Sequence, residues 1–209
     1  MEKLFGNIKM TWLKVIIFAV AAGAYTGAVM LIPFLKGTSF QDIGIGFEWW
    51  VVFAVIIVVN CDKCWEAMLK CFVFFLISQP VVYLVQILFG DLTFEKAWYY
   101  YHSFWLLATF FTLPGGLIAY FCKKQNLLGG IVLGLGNTIE ALMAFYYINQ
   151  ARGNFPHHIL SAAFCIASVI IMSICIQKTK KIRLLSLLIP VVLAVFVLVV
   201  AEITGLSLF

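Results

Sequence analysis

Charged residues are scarce in this sequence. Of its 209 residues only 11% are Asp, Glu, Lys or Arg, and 64% are hydrophobic. A soluble domain carries roughly 25% charged residues, so this chain lacks the polar surface to cover a water-soluble globule. Acidic residues are scarcer than basic ones, nine against fourteen. A basic balance can signal nucleic acid. Here the basic residues sit in short loops between apolar runs, where they set the orientation of a membrane protein, and no nucleic-acid partner is expected. Long polar stretches are missing as well. With none outside the membrane able to form a second domain, the expectation is one transmembrane helical bundle over residues 1–209.

Signature motifs are also missing. There are three histidines and no HExxH pair to hold a catalytic zinc. No nucleophile stands next to a base. No Lys lies in the last apolar run, which excludes a retinal Schiff base. The histidine pattern of seven-helix progestin-receptor and haemolysin-III-like hydrolases is absent. Six cysteines are present, but none falls in an outer loop, so a disulfide framework is not expected. "CDKC", Cys61 to Cys64, invites a zinc reading together with Cys122 and Cys175. The simpler reading is reduced thiols near the cytosolic rim, and no metal or cofactor is assigned.

What the chain has in quantity is long apolar runs. A span needs about 20 apolar residues. Seven runs qualify: Val15–Leu35, Ile43–Asn60, Glu66–Phe89, Ala97–Cys122, Leu127–Ile148, His158–Gln177 and Leu184–Ala201. The first comes after Lys3, Lys9 and Lys14, as a secretory signal would. It exceeds the usual h-region of roughly 7–15 residues and reads as a retained helix. The fold class is therefore all-α, a polytopic membrane protein with seven spans. With the N-terminus inside, Lys3, Lys9, Lys14, Lys63, Lys70, Lys123, Lys124, Lys178, Lys180, Lys181 and Arg183 gather on the inner side. Lys36, Lys96 and Arg152 fall outside. Eleven against three is a strong positive-inside bias, and it puts the C-terminus outside. The expected setting is the cell membrane.

One carboxylate lies well inside a span: Glu140, in "GLGNTIEALM". It sits about 20 Å from the inner end of its run at ~1.5 Å per residue. Asn137 shares its side of the helix. Gly130, Gly134, Asn137, Ala141 and Ala144 form a small-residue stripe that lets helices approach closely. An intramembrane carboxylate is a functional candidate by default. The competing reading is a protonated polar clasp, since burial raises a carboxyl pKa.

Two other spans offer polar faces. Gln79, Tyr83 and Gln86 fall at i, i+4, i+7. His102, Trp105, Thr109, Thr112 and Gly116 lie along one face of the fourth span. Glu48 and Trp49 stand at the outer end of the second, and His157 and His158 open the sixth. Together these predict a pocket in the outer half, with Glu140, Asn137, Gln79, Tyr83, Gln86, His102, Trp105, Glu48 and Trp49 as substrate-binding candidates. "SQP" and "TLPGG" predict kinks or breaks in the third and fourth spans.

The chain's size and the first-helix run "AAGAYTGA" resemble the substrate-binding subunits of energy-coupling-factor vitamin transporters. In that family a small-residue face on the first helix docks a partner. The resemblance implies a membrane partner subunit at the Ala24–Ala28 face. Those subunits typically have six helices, one fewer than counted here.

Three functions stay open. The first is a small-molecule or ion transporter, or its substrate-binding subunit, with Glu140 meeting a cation, proton or amine. The second is an intramembrane enzyme with Glu140 and His102 as acid and base. The third is a non-catalytic assembly or regulatory protein whose "KTKKIR" loop meets anionic lipid. The expected topology is checked with fused reporters. Alkaline phosphatase joined after Thr204 should be active, and the same fusion at Lys124 should be inactive.

Overall fold

A computed structural model describes residues 8–153 and 156–204. Lys3, counted above on the inner side, lies outside them. Among the described residues the chain is helical and has no strand. The reason is solvent: in hydrocarbon the backbone must satisfy its own hydrogen bonds, and a helix does so within one segment.

The first helix, α1, spans Trp12–Leu31. Thr11 caps it, its hydroxyl accepting from the Lys14 amide at 3.3 Å. It stops four residues short of the expected end. Ile32 is extended, as the residue before a proline is driven to be, and Pro33–Leu35 forms a separate 3-10 turn. The second run is two helices rather than one. α2 (Ser39–Ile45) and α3 (Phe47–Val59) meet at a 47° bend, with Gly46 extended between them. α4 covers Cys64–Phe89. Lys70, counted above on the inner side, lies in the second turn of this helix.

The fourth run is composite. α5 (Phe94–Tyr100) passes through a π turn, Tyr101–Trp105, into α6 (Leu106–Ala119) and a closing 3-10 turn, Tyr120–Lys123. Three helices complete the chain: α7 (Leu127–Gly153), α8 (Ile159–Ile176) and α9 (Lys180–Thr204). Six of these stretches are long and apolar enough to cross a membrane, and seven if α2 and α3 count as one broken span. The chain is an all-α multi-pass membrane protein.

The prolines do not break their helices. Pro80 lies inside α4, Pro114 inside α6 and Pro190 inside α9. Neighbouring hydroxyls turn back onto the chain: Ser78 donates to the Phe75 carbonyl at 3.4 Å and Thr112 to that of Thr109 at 2.6 Å. The irregularities fall at Gly46 and at the π turn instead.

The packing divides into two compact units, one ending at Tyr120 and the other continuing from Phe121. In the first, α1 lies along α4, and α4 also packs on α6. Gly23 and Gly27 set the α1–α4 spacing. A Cβ on Gly27 would stand 2.8 Å from Val85 Cβ and 2.9 Å from the Val82 carbonyl, and one on Gly23 would collide with the Ser78 carbonyl. Around this seam Val15, Ala19 and Ala22 bury against Ala67, Cys71, Phe74 and Val82. Trp50 joins this core, edge-on to Phe74 at 5.9 Å. Ala24 is half-buried and Ala28 exposed beside the seam, so the glycines of "AAGAYTGA" are used within the chain.

In the second unit α7 packs on both α8 and α9. The device repeats. A Cβ on Gly130 would stand 2.7 Å from Ile182 Cγ2, and one on Gly134 2.7 Å from Ile189 Cβ. Gly27→Val should therefore destabilise the protein by about 1–3 kcal/mol, the cost of overpacking a filled seam. Unfolding monitored by circular dichroism in detergent or bicelles measures it.

Candidate functional site

The α7 helix owes its central position to its sequence. Gly130, Leu133, Gly134, Asn137, Glu140, Ala144, Tyr147 and Ala151 are buried, and their spacing of three and four residues draws one continuous stripe. Glu140 is the middle residue of the helix and is 0% exposed; Asn137, one turn earlier, is 1% exposed. The Asn137 amide donates to the Ser173 hydroxyl on α8 at 3.0 Å. Ser161, Cys165 and Ser168 of α8 are buried too, so the small polar side chains of that helix turn inward.

Ala141 and Ala144, beside Glu140, line a cavity of about 460 Å³ with Ile166, Ile170, Val191 and Val195 from α8 and α9. Its walls are carbon. His158 precedes α8 in the left-handed region (φ 69°) and stacks on Tyr147 with ring centroids 6.2 Å apart.

The other candidates belong to the first unit. Gln79 is 3% exposed, and its Nε2 has no hydrogen-bond partner among the described residues. Tyr83, one turn on, lines a cavity of about 430 Å³ against Phe94, Trp98 and Tyr101. Gln86 donates to Met30 Sδ and lines a separate pocket of about 280 Å³. The i, i+4, i+7 face therefore reaches different surroundings at each step. Trp105 borders a third space of about 210 Å³ with Phe47, Trp50, Phe75 and Thr109. Glu48 is fully buried in the first turn of α3, where a carboxylate suits the helix dipole. A side chain on Gly46 would strike its carboxylate. Trp49 packs on Tyr25 at 5.3 Å and on Phe53 at 4.9 Å, and its indole N–H has no acceptor among the described residues.

His102 leaves the face expected for it. Trp105 is half-buried, and Thr109 and Gly116 are buried, but His102 is exposed and stacks on Trp98 at 6.1 Å. The π turn is the cause. One extra residue per turn rotates everything before it by roughly 100° relative to the helix beyond it. His102 is the second residue of that turn and Trp105 ends it, so the α-helical register that would align them does not hold between them.

Lys70 is a buried charge that the spacing did not suggest. It is 2% exposed. Its ammonium pairs with Glu66 and donates to the Met10 carbonyl, and it lies 5.6 Å from the centre of the Trp12 ring. The signal was present as an i, i+4 Glu–Lys pair, yet a loop lysine and a buried one look alike in sequence. Thr26 was missed as well. Its hydroxyl donates to the Gly44 carbonyl at 2.7 Å, holding α2 onto α1. Among the described residues no three His, Cys, Asp or Glu side chains are grouped to hold a metal ion. Cys61 and Cys122 are buried, Cys64 and Cys175 half-buried, and none is in a disulfide.

No known protein family, curated protein or solved structure matches the chain. Its chemistry has to be argued from its own residues.

The Asn137–Ser173 bond is a direct target. A double-mutant cycle with Asn137→Ala and Ser173→Ala should give a coupling of roughly 0.6–1.7 kcal/mol, the range for interhelical hydrogen bonds in membranes. Equilibrium unfolding in bicelles reads it.

Proposed function

We propose that this multi-pass membrane protein is a small-molecule or ion transporter, or the substrate-binding subunit of one. Its cargo or coupling ion would be a cation, an amine or a proton. The observation that carries the reading is Glu140, fully buried at the middle of a membrane-length helix that packs on two others. Keeping an ionisable group at that depth is costly, and such groups mark ion and substrate paths. Asn137 one turn away adds a fixed amide, as cation and amine sites require.

The internal order of the two units supports the same reading. In the first, α1 packs on α4, the third span if α2–α3 is the second. In the second, α7 packs on α9, again its third. Each contact uses two glycines four residues apart, Gly23 with Gly27 and Gly130 with Gly134. Each partner helix carries a proline at the contact: Ser78 and Val81 flank Pro80, and Ile189 precedes Pro190. Structural repeats of this sort are a common build among transporters. The acid–base reading gains nothing comparable, since His102 lies on the exposed side of its helix.

Proteoliposome uptake tests the proposal, with a panel of small amines, vitamins and monovalent cations and an internal pH dye. Wild-type protein should accumulate one class or move protons. Glu140→Gln, an isosteric change, should lower that flux at least about tenfold, the loss of roughly 1.4 kcal/mol of binding or barrier, while eluting as a folded species. Flux unchanged in Glu140→Gln would refute the role of this carboxylate.

A further inference from the structure

The α4–α5 turn carries two cavities, one almost wholly apolar and one in which Gln86, Asp91 and Lys96 stand beside Met30, Leu31 and Leu92, and neither involves Glu140. On one side is the apolar space of about 430 Å³. Pro80, Leu84 and Ile87 of α4 form one wall, and Phe94, Trp98 and Tyr101 form the other. From Pro80 to Ile87 the wall is about 10 Å long at ~1.5 Å per residue. Leu84, Phe94 and Trp98 are all more than half exposed, so the space opens sideways to the bilayer. On the other side is the pocket of about 280 Å³ with Gln86, Asp91 and Lys96 in its lining.

Asp91 and Lys96 border one pocket but do not pair. Among the described residues neither side chain has a hydrogen bond or an ion pair. A pocket holding separated positive and negative charges is complementary to a zwitterion. An apolar space beside it, walled by rings that favour the headgroup level, is complementary to an acyl chain. Adjacent residues line the two: Gln86 and Ile87 on α4, Lys96 and Ala97 on α5.

We propose that the α4–α5 turn binds one zwitterionic phospholipid. Lys96 takes the phosphate, Asp91 takes the ammonium, and an acyl chain lies between Leu84 and Trp98. Charge complementarity selects this lipid over an anionic one, whose headgroup would bring a net negative charge to Asp91. The cavity selects a lipid over a soluble zwitterion, because only the lipid fills it.

The test is native mass spectrometry of the delipidated full chain, offered phosphatidylethanolamine and phosphatidylglycerol in equal amounts. Phosphatidylethanolamine should be retained over phosphatidylglycerol by at least about fivefold, roughly 1 kcal/mol. Asp91→Lys should erase the preference, because the negative charge that disfavours phosphatidylglycerol is gone, whereas Lys96→Glu, which removes the phosphate partner, and Trp98→Ala should each weaken retention of phosphatidylethanolamine. All three positions are exposed, so the helices do not depend on them for their core, and size-exclusion elution verifies this. Excess soluble phosphoethanolamine should leave the bound lipid in place. Equal retention of the two lipids, a preference that survives Asp91→Lys, phosphatidylethanolamine retention unchanged in Lys96→Glu, or displacement by phosphoethanolamine would each overturn the proposal.

Discussion

Helix–helix approach at glycine is the constraint on which the rest of this structure depends. Lipid tails are as apolar as leucine, so burying carbon does not drive these helices together. What remains is contact, and contact at backbone distance needs the Cβ removed. Gly23 and Gly27 let α1 settle onto the Ser78–Val85 stretch of α4; Gly130 and Gly134 let α7 settle onto Ile182 and Ile189 of α9. Once these pairs are fixed, the remaining faces of α1 and α7 are assigned. Thr26 turns to the Gly44 carbonyl and Asn137 to Ser173. The buried polar groups occupy the sides the glycines leave over.

Hydrocarbon also explains which polar groups are tolerated. Lys70 is buried but surrounded by the Glu66 carboxylate, the Met10 carbonyl and the Trp12 ring. At the rim of the second unit two glutamines tie loop to loop. Gln177 donates to the Cys122 carbonyl, and Gln125 donates to the Ile176 carbonyl while accepting from the Lys178 amide at 2.7 Å. Such amides do for a loop what the intrahelical ladder does for a span. Gln79 and Trp49 differ, since each keeps a buried donor without an acceptor among the described residues. A buried donor left so is expensive, and in a membrane protein such groups are where a bound solute is sought.

The spans were legible because hydropathy reads solvent directly. All seven apolar runs became helix, the second as two segments; Pro33 shortened the first, α7 ran on to Gly153 through polar residues, and α9 begins at Lys180, four residues before the expected start. The burial of Glu140 and Asn137 was legible too, because α7 is a regular helix and its stripe holds register from Gly130 to Ala151. His102 was not, because a single π turn shifts register and leaves no mark in composition. Nor was Lys70, since its neighbours come from residues four and sixty positions away.

The sequence by itself determined that this is a multi-pass helical membrane protein and that Glu140 is a carboxylate in the middle of an apolar helix. Both come from one-dimensional quantities, the length of an apolar run and the position of a charge within it. Only the tertiary structure decided which helices touch, that the second run bends at Gly46 while Pro80, Pro114 and Pro190 stay helical, and that packing divides at Tyr120 where composition does not change. Contact depends on which small residue meets which partner across tens of positions, and that pairing is set by three-dimensional fit rather than by hydropathy.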